Sequence, residues 1–242
     1  MTYIDTHVHI DFYPNPYDLA LEYEKNKIYT LFVTNLPELY EKHFSRFSNF
    51  KYIRLCLGYH PQVSTEYVLN KTLFEKYIDT TRYVGEVGLD FFSGIGDREK
   101  SIQIEAFRYV TSPIFNIGRI YTIHSKGAER EVLDILIENE VKHAIFHWYT
   151  GKISVLKQAA EKGYYFSINP KMLMTKNGLN IIANIPVKQM LFETDGPFAR
   201  INRNPIHPTD IPKLYSAVEN EVVEFEKVCF SNFRRLLIEK DL

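Results

Sequence analysis

The sequence predicts an α/β fold, a closed barrel of eight parallel strands that alternate with helices, and three observations lead there. The chain has 242 residues, the usual size of one such barrel. Short runs rich in Val, Ile, Tyr and Phe recur along it, each followed by a longer stretch whose apolar residues keep helical spacing. No Gly-x-Gly-x-x-Gly turn follows any of these runs, which disfavours an open doubly wound sheet with a dinucleotide site. A single domain over residues 1–242 is expected.

The strand candidates, in order, are Tyr3 to His9, Tyr29 to Asn35, Tyr52 to His60, Arg82 to Asp90, Ile120 to Ser125, His143 to Trp148, Tyr164 to Asn169 and Gln189 to Asp195. Helical stretches fall between them. Examples are Tyr17 to Lys27, Asp97 to Thr111 with Ile104 and Phe107, and Ala128 to Asn139 with Val132, Ile135 and Leu136 at three and four spacing. The stretch from Glu219 to Lys240 reads as a last amphipathic helix, with Val222, Phe225, Val228, Phe233 and Leu236 available to pack on the barrel wall.

Composition sets the outer limits. Apolar residues make up 45% and charged residues 24%, as in ordinary folded domains, and the net charge of −1 gives no global basic footprint for nucleic acid. Any such partner must be held by local cations or by metal ions. No apolar run is long enough to cross a membrane, and no basic segment leads into an apolar one at the N-terminus, so a cytoplasmic protein is expected. Cys56 and Cys229 are too few for a disulfide framework and read as buried thiols.

In a parallel barrel the catalytic groups come from the C-terminal ends of the strands, which open on one rim. His7 and His9 close the first strand candidate, and being two apart they point the same way with Val8 turned from them. Glu86 lies within the fourth, His124 ends the fifth, His147 ends the sixth and Asp195 ends the eighth. Of the remaining histidines, His43 and His143 lie on a helix and at a strand start, away from that rim, and are expected to pack or face solvent. Four imidazoles and two carboxylates suit zinc, manganese or cobalt better than calcium. Six ligands are too many for one ion that also keeps a position for water, so the count points to two ions and to hydrolysis.

These pieces carry a resemblance. His7-Val8-His9, Gly58-Tyr59-His60-Pro61, Gly85-Glu86-Val87-Gly88-Leu89-Asp90, Ile123-His124-Ser125, His147 with Gly151, and Glu193-Thr194-Asp195-Gly196-Pro197 together resemble, in this order, the signature of the TatD family of metal-dependent deoxyribonucleases. The resemblance implies a distorted (β/α)8 TIM barrel holding two divalent metal ions (zinc, manganese, magnesium or cobalt) and a DNA substrate, taken as single strands or ends. It implies that His7, His9 and Asp195 hold one ion, that His124 and His147 hold the other, and that Glu86 bridges them. It further implies that Asp195 acts as general base and that His60 contacts the scissile phosphate. The segment Asp11-Phe12-Tyr13-Pro14-Asn15-Pro16 is similar to that of the TatD-like component of the Qat anti-phage defence system, which implies partner proteins of a defence complex.

The chain also departs from the family pattern. Gln62 stands where a second histidine is frequent, and Trp148-Tyr149-Thr150-Gly151 replaces a run of smaller residues. Trp148 and Tyr149 can stack on an unpaired base or pack in the core. Lys126, Lys171, Arg200 and Arg203 follow strand ends and can supply local positive charge. Two other functions fit the same residues: an amidohydrolase-like enzyme on a small amide or ester, and a non-catalytic metal-binding component of a complex.

Overall fold

The computed structural model describes residues 2–201 and 203–238. Eight parallel strands run in sequence order: β1 (Ile4–His9), β2 (Tyr29–Val33), β3 (Ile53–Cys56), β4 (Tyr83–Gly88), β5 (Ile120–His124), β6 (His143–Phe146), β7 (Tyr165–Ile168) and β8 (Met190–Phe192). The ladder breaks into a group of three and a group of five, and two bridges join them into a barrel: Leu57 with Val84, and Val8 with Gly196. Gly58 sits at the first seam, where a Cβ would stand 1.8 Å from the Thr34 carbonyl oxygen, so no larger residue fits there. A short hairpin, β9 (Arg200–Ile201) with β10 (Asn204–Pro205), follows the barrel.

The helices are α1 (Pro16–Lys25), α2 (Pro37–Phe47), α3 (Lys71–Ile78), α4 (Asp97–Val110), α5 (Pro113–Asn116), α6 (Glu129–Glu138), α7 (Ile153–Glu161), α8 (Lys176–Asn184), α9 (Ile211–Glu219) and α10 (Phe225–Ile238). Local chemistry sets several of their starts. Prolines occupy the first position of α1 and α2, where a missing N–H costs nothing, while Asn70 and Thr175 accept from Leu73 N and Gly178 N to cap α3 and α8. On α6 the residues Val132, Leu133, Ile135 and Leu136 are all buried, as the spacing requires. The strands are buried on both sides and feed one apolar cluster.

The expected single helix from Glu219 to Lys240 is corrected. α9 ends at Glu219, the chain turns with Glu224 at φ +56°, and α10 begins only at Phe225. The turn folds the two helices around β8, so that Tyr215 and Phe225 stack together (5.3 Å between centroids) and Tyr215 also reaches Phe192 (4.4 Å). Lys240 lies outside the described residues.

Two register irregularities matter for the site. The β1–β2 pairing shifts between Asp5 and Val8, and the β4–β5 pairing shifts between Val84 and Val87. These intervals hold His7 and Glu86. A bulge re-aims the side chains it contains, which is one reason bulges recur beside active sites.

Candidate metal centre

Six side chains converge at the C-terminal rim. Glu86 is fully buried at their centre, and its two oxygens face different imidazoles. Its Oε2 lies 3.2 Å from His7 Nε2 and 3.1 Å from His9 Nε2, while its Oε1 lies 2.6 Å from His124 Nδ1 and 2.9 Å from His147 Nε2. His7 Nε2 and His9 Nε2 are 3.3 Å apart, and Asp195 Oδ1 stands 3.9 and 3.4 Å from them. His124 Nδ1 and His147 Nε2 are 3.2 Å apart.

The spacing tests whether cations fit. Tetrahedral donors at about 2.0–2.1 Å from an ion stand about 3.3 Å from one another. The first group, His7, His9, Asp195 and the Oε2 of Glu86, has separations from 3.1 to 3.9 Å. The second, His124, His147 and the Oε1 of Glu86, has separations from 2.6 to 3.2 Å and supplies three donors, leaving a fourth position for water. Asp195 Oδ1 is buried and makes no hydrogen bond, which leaves it available as a cation ligand. The residues present therefore fit divalent cations.

A further layer of contacts fixes which nitrogen each imidazole offers. His7 Nδ1 meets Thr122 Oγ1 at 2.8 Å and His9 Nδ1 meets Asn35 Oδ1 at 3.2 Å. His124 Nε2 meets Asp90 Oδ2 at 3.0 Å, and His147 Nδ1 faces Glu193 Oε1 at 3.5 Å. Partners of this kind orient a ligand ring and raise its basicity. Glu193 also clusters with His7 and His147 as a possible ligand. However, its carboxylate already accepts from Ser167 and Asn169 and faces the far nitrogen of His147, so its contacts suit holding that ring.

Electrostatics follow from burial and crowding. Burial alone would raise the Glu86 carboxyl, but the imidazoles of His60, His147, His7 and His124 hold it well below the usual range. Burial, reinforced by His147, pushes His7 down, so that ring is neutral and its Nε2 lone pair is free for a cation. Burial opposes the charging of His9, His124 and His147, yet the carboxylates beside them raise all three, and each would release a proton on binding a metal.

The centre opens into a cavity of about 480 Å³ whose lining includes His60, Gln62, Lys126, Trp148, Phe12 and Phe198. His60 Nδ1 accepts from Gln62 N at 3.2 Å, so its Nε2 carries the proton and points inward, 3.3 Å from Glu86 Oε2. Trp148 and Lys126 line this cavity. Of the two roles open to Tyr149, packing is the one it takes: it is buried and its hydroxyl donates to Lys152 O. Lys171 lines a neighbouring cavity with Trp148, and Arg200 is exposed on the hairpin strand β9. His43 is buried beside Asp11, and His143 begins β6, away from the rim.

Sequence reasoning assigned no role to Asp90, Glu193, Thr122 or Asn35. The parity of Glu193 and Asp195, two apart, was the one available signal. Asp195 lies past the last pairing of β8 at φ +51°, where strand parity no longer holds.

The family model described as TatD related DNase matches residues 4–238. The chain belongs to that family. It is 28% identical over 162 residues to the deoxyribonuclease TATDN3 of Homo sapiens, covering 59% of this chain and 57% of that one, so it spans little more than half the length of that relative. Against the uncharacterized metal-dependent hydrolase YabD of Bacillus subtilis the identity is 23%, over 97% of this chain and 95% of that one. In fold it is similar to the TatD homolog YjjV of Escherichia coli, with a TM-score of 0.77 over 97% of both chains and 18% identity.

Proposed function

We propose that this TatD-family chain is a two-metal-ion hydrolase of DNA phosphodiester bonds. The observation that carries the reading is the division of Glu86 between two imidazole pairs, with Oε2 toward His7 and His9 and Oε1 toward His124 and His147. His7, His9 and Asp195 would hold one divalent ion and His124 and His147 the other, with Glu86 placed to serve both. Bound there, zinc, manganese, magnesium or cobalt would acidify water and neutralise charge at the phosphorus centre.

The chain's own groups do the rest. Asp195, whose Oδ1 faces His7 and His9 as a ligand, takes the proton of the attacking water on its other carboxylate oxygen. His60 directs its Nε2–H into the cavity and donates to a phosphate oxygen, since its other nitrogen is already an acceptor. Lys126 adds positive charge to the wall and compensates for an overall charge that offers DNA no attraction.

The test is degradation of an end-labelled single-stranded oligonucleotide with manganese or magnesium, with metal counted by mass spectrometry in wild type and Glu86→Ala. Metal uptake and cleavage by wild type, both lost in Glu86→Ala, are expected. Equal cleavage by the two proteins overturns the reading.

A small amide or ester substrate is the second reading, favoured by the cavity's 480 Å³, which lies in the small-molecule range. Turnover of such compounds with no cleavage of DNA would select it. The defence role rests on the likeness over Asp11 to Pro16 and predicts that Glu86→Ala abolishes protection against phage. Protection retained by that variant would instead favour a non-catalytic, metal-binding partner of a defence complex. No described helix is long and apolar enough to cross a membrane.

A further inference from the structure

We propose that Phe12 and Phe198 form a stacking platform for one unpaired nucleobase beside the bond to be cleaved. The inference rests on the reading above and names the form of DNA it takes.

Both rings are tethered to the metal centre. Phe12 follows His9 by three residues through a short 3₁₀ turn, and Phe198 follows Asp195 by three residues, with its N–H donating to Asp195 O at 2.9 Å. The ends of β1 and β8 are neighbours around the barrel through the Val8–Gly196 bridge, so the two tethers bring the rings together. Their centroids are 5.0 Å apart at 61°, and the His9 ring meets Phe198 edge-on at 4.9 Å and Phe12 at 5.9 Å.

This packing leaves much of each ring uncovered. Phe12 is 51% exposed and Phe198 52% exposed, although both line the cavity. Among the described phenylalanines these two are the most exposed, ahead of Phe92 at 43%, whereas Phe32, Phe146, Phe166 and Phe192 are fully buried. Two half-bare rings in the wall of the cavity that holds the candidate metal ligands mark a surface made for contact.

The chemistry of the cavity selects the occupant. Its floor is suited to cations that attract a phosphate, and Lys126 and Trp148, which follow His124 and His147, line the part beside the second imidazole pair. The phenyl pair belongs to the part beside His9 and Asp195. A flat, uncharged π-face joined to an anion by a short linker matches this division, and a nucleotide is such a group. In a duplex each base face is covered by its neighbours and each edge by its pair, so only an unpaired or frayed base can reach the rings without disrupting the helix.

The experiment is a fluorescence titration of the manganese-loaded protein against a thymidine oligonucleotide carrying one 2-aminopurine and cleavage-resistant phosphorothioate linkages, alongside cleavage of the unmodified strand. Phe12→Leu and Phe198→Leu keep apolar volume but remove the π-face, and metal content and melting temperature confirm that each is folded and loaded. Quenching by wild type is expected, with affinity about 5- to 100-fold weaker in the double variant. A single abasic position next to the cleaved bond should produce a similar loss in wild type and little further loss in the double variant. Unchanged affinity in the double variant, or equal binding of the matched duplex, overturns the platform while leaving DNA cleavage standing. A wild type that neither binds nor cleaves the strand overturns the DNA reading, and the platform falls with it.

Discussion

Glu86 Oε1 lies 2.6 Å from His124 Nδ1, and the opposite nitrogen of the same ring is held by Asp90 Oδ2 at 3.0 Å. The imidazole is clamped between a carboxylate that faces the centre and one that stands behind it. Asp90 is itself fixed by Gln62, whose Nε2 donates to Asp90 Oδ2 at 2.6 Å. The glutamine at the position where the family frequently has histidine therefore braces this chain.

Asp90→Asn should weaken metal binding at the His124 and His147 position by about 10- to 100-fold, the usual cost of losing a partner behind a ligand. Binding at the His7 and His9 position should be little changed. Metal titration of the variant, followed calorimetrically, separates two unequal sites from two equally weakened ones, and the latter result would show that Asp90 does not act through His124.

Removing metal should destabilise the fold. The buried centre packs His7 Nε2 against His9 Nε2 at 3.3 Å and brings two carboxylates to them, an arrangement a cation relieves. A ligand present at about 100 times its Kd adds about 2.7 kcal/mol per site. For a chain of this size that corresponds to roughly 5–10 °C in Tm. Scanning fluorimetry with EDTA and with added manganese reads the difference directly, and coincident curves would argue against occupied sites.

Asp5 should be a structural carboxylate. It is fully buried and accepts from Thr194 N at 2.9 Å, Thr194 Oγ1 at 2.7 Å and Tyr23 OH at 2.8 Å, pinning β1 to the segment after β8. Asp5→Ala strands these donors and should cost about 2–5 kcal/mol. Urea unfolding in EDTA, with Tyr23→Phe as the second arm of a double-mutant cycle, measures the cost apart from metal loss. Additive effects would mean that the two groups do not share the bond.

Neither thiol should react in the native protein. Cys56 and Cys229 are both fully buried. Burial raises the Cys56 thiol well above its usual value and pushes Cys229 up to about 12, so almost no thiolate exists at pH 8. Ellman's reagent at pH 8 should label none in buffer and two in guanidinium. Rapid labelling of either in buffer would contradict the burial.

Much of this architecture was legible in the residues. Strand β1 was expected from Tyr3 to His9 and runs Ile4–His9, and β5 was expected from Ile120 to Ser125 and runs Ile120–His124. Apolar periodicity is a local signal, and each strand of a parallel barrel is buried on both faces, so the pattern is strong. The last helix was less legible: its apolar spacing continues through Val222, but whether the chain bends there depends on Tyr215, Phe225 and Phe192 meeting, which is not a local matter.

The sequence by itself determined the strand order of the barrel and the identity of six ligand-type residues at or just beyond strand ends, because apolar runs and their order are read along the chain. The ends of β3, β6 and β8 fell short of those apolar runs. Only the tertiary structure decided which oxygen of Glu86 meets which imidazole, which nitrogen His124 presents, and that Phe12 and Phe198 share one wall. Those relationships join β1 to β8 and β4 to β5 and β6, and they depend on bulges and side-chain contacts between segments as much as 189 residues apart, as for Asp5 and Thr194. Spacing along one chain carries no information about the angle at which two distant side chains meet.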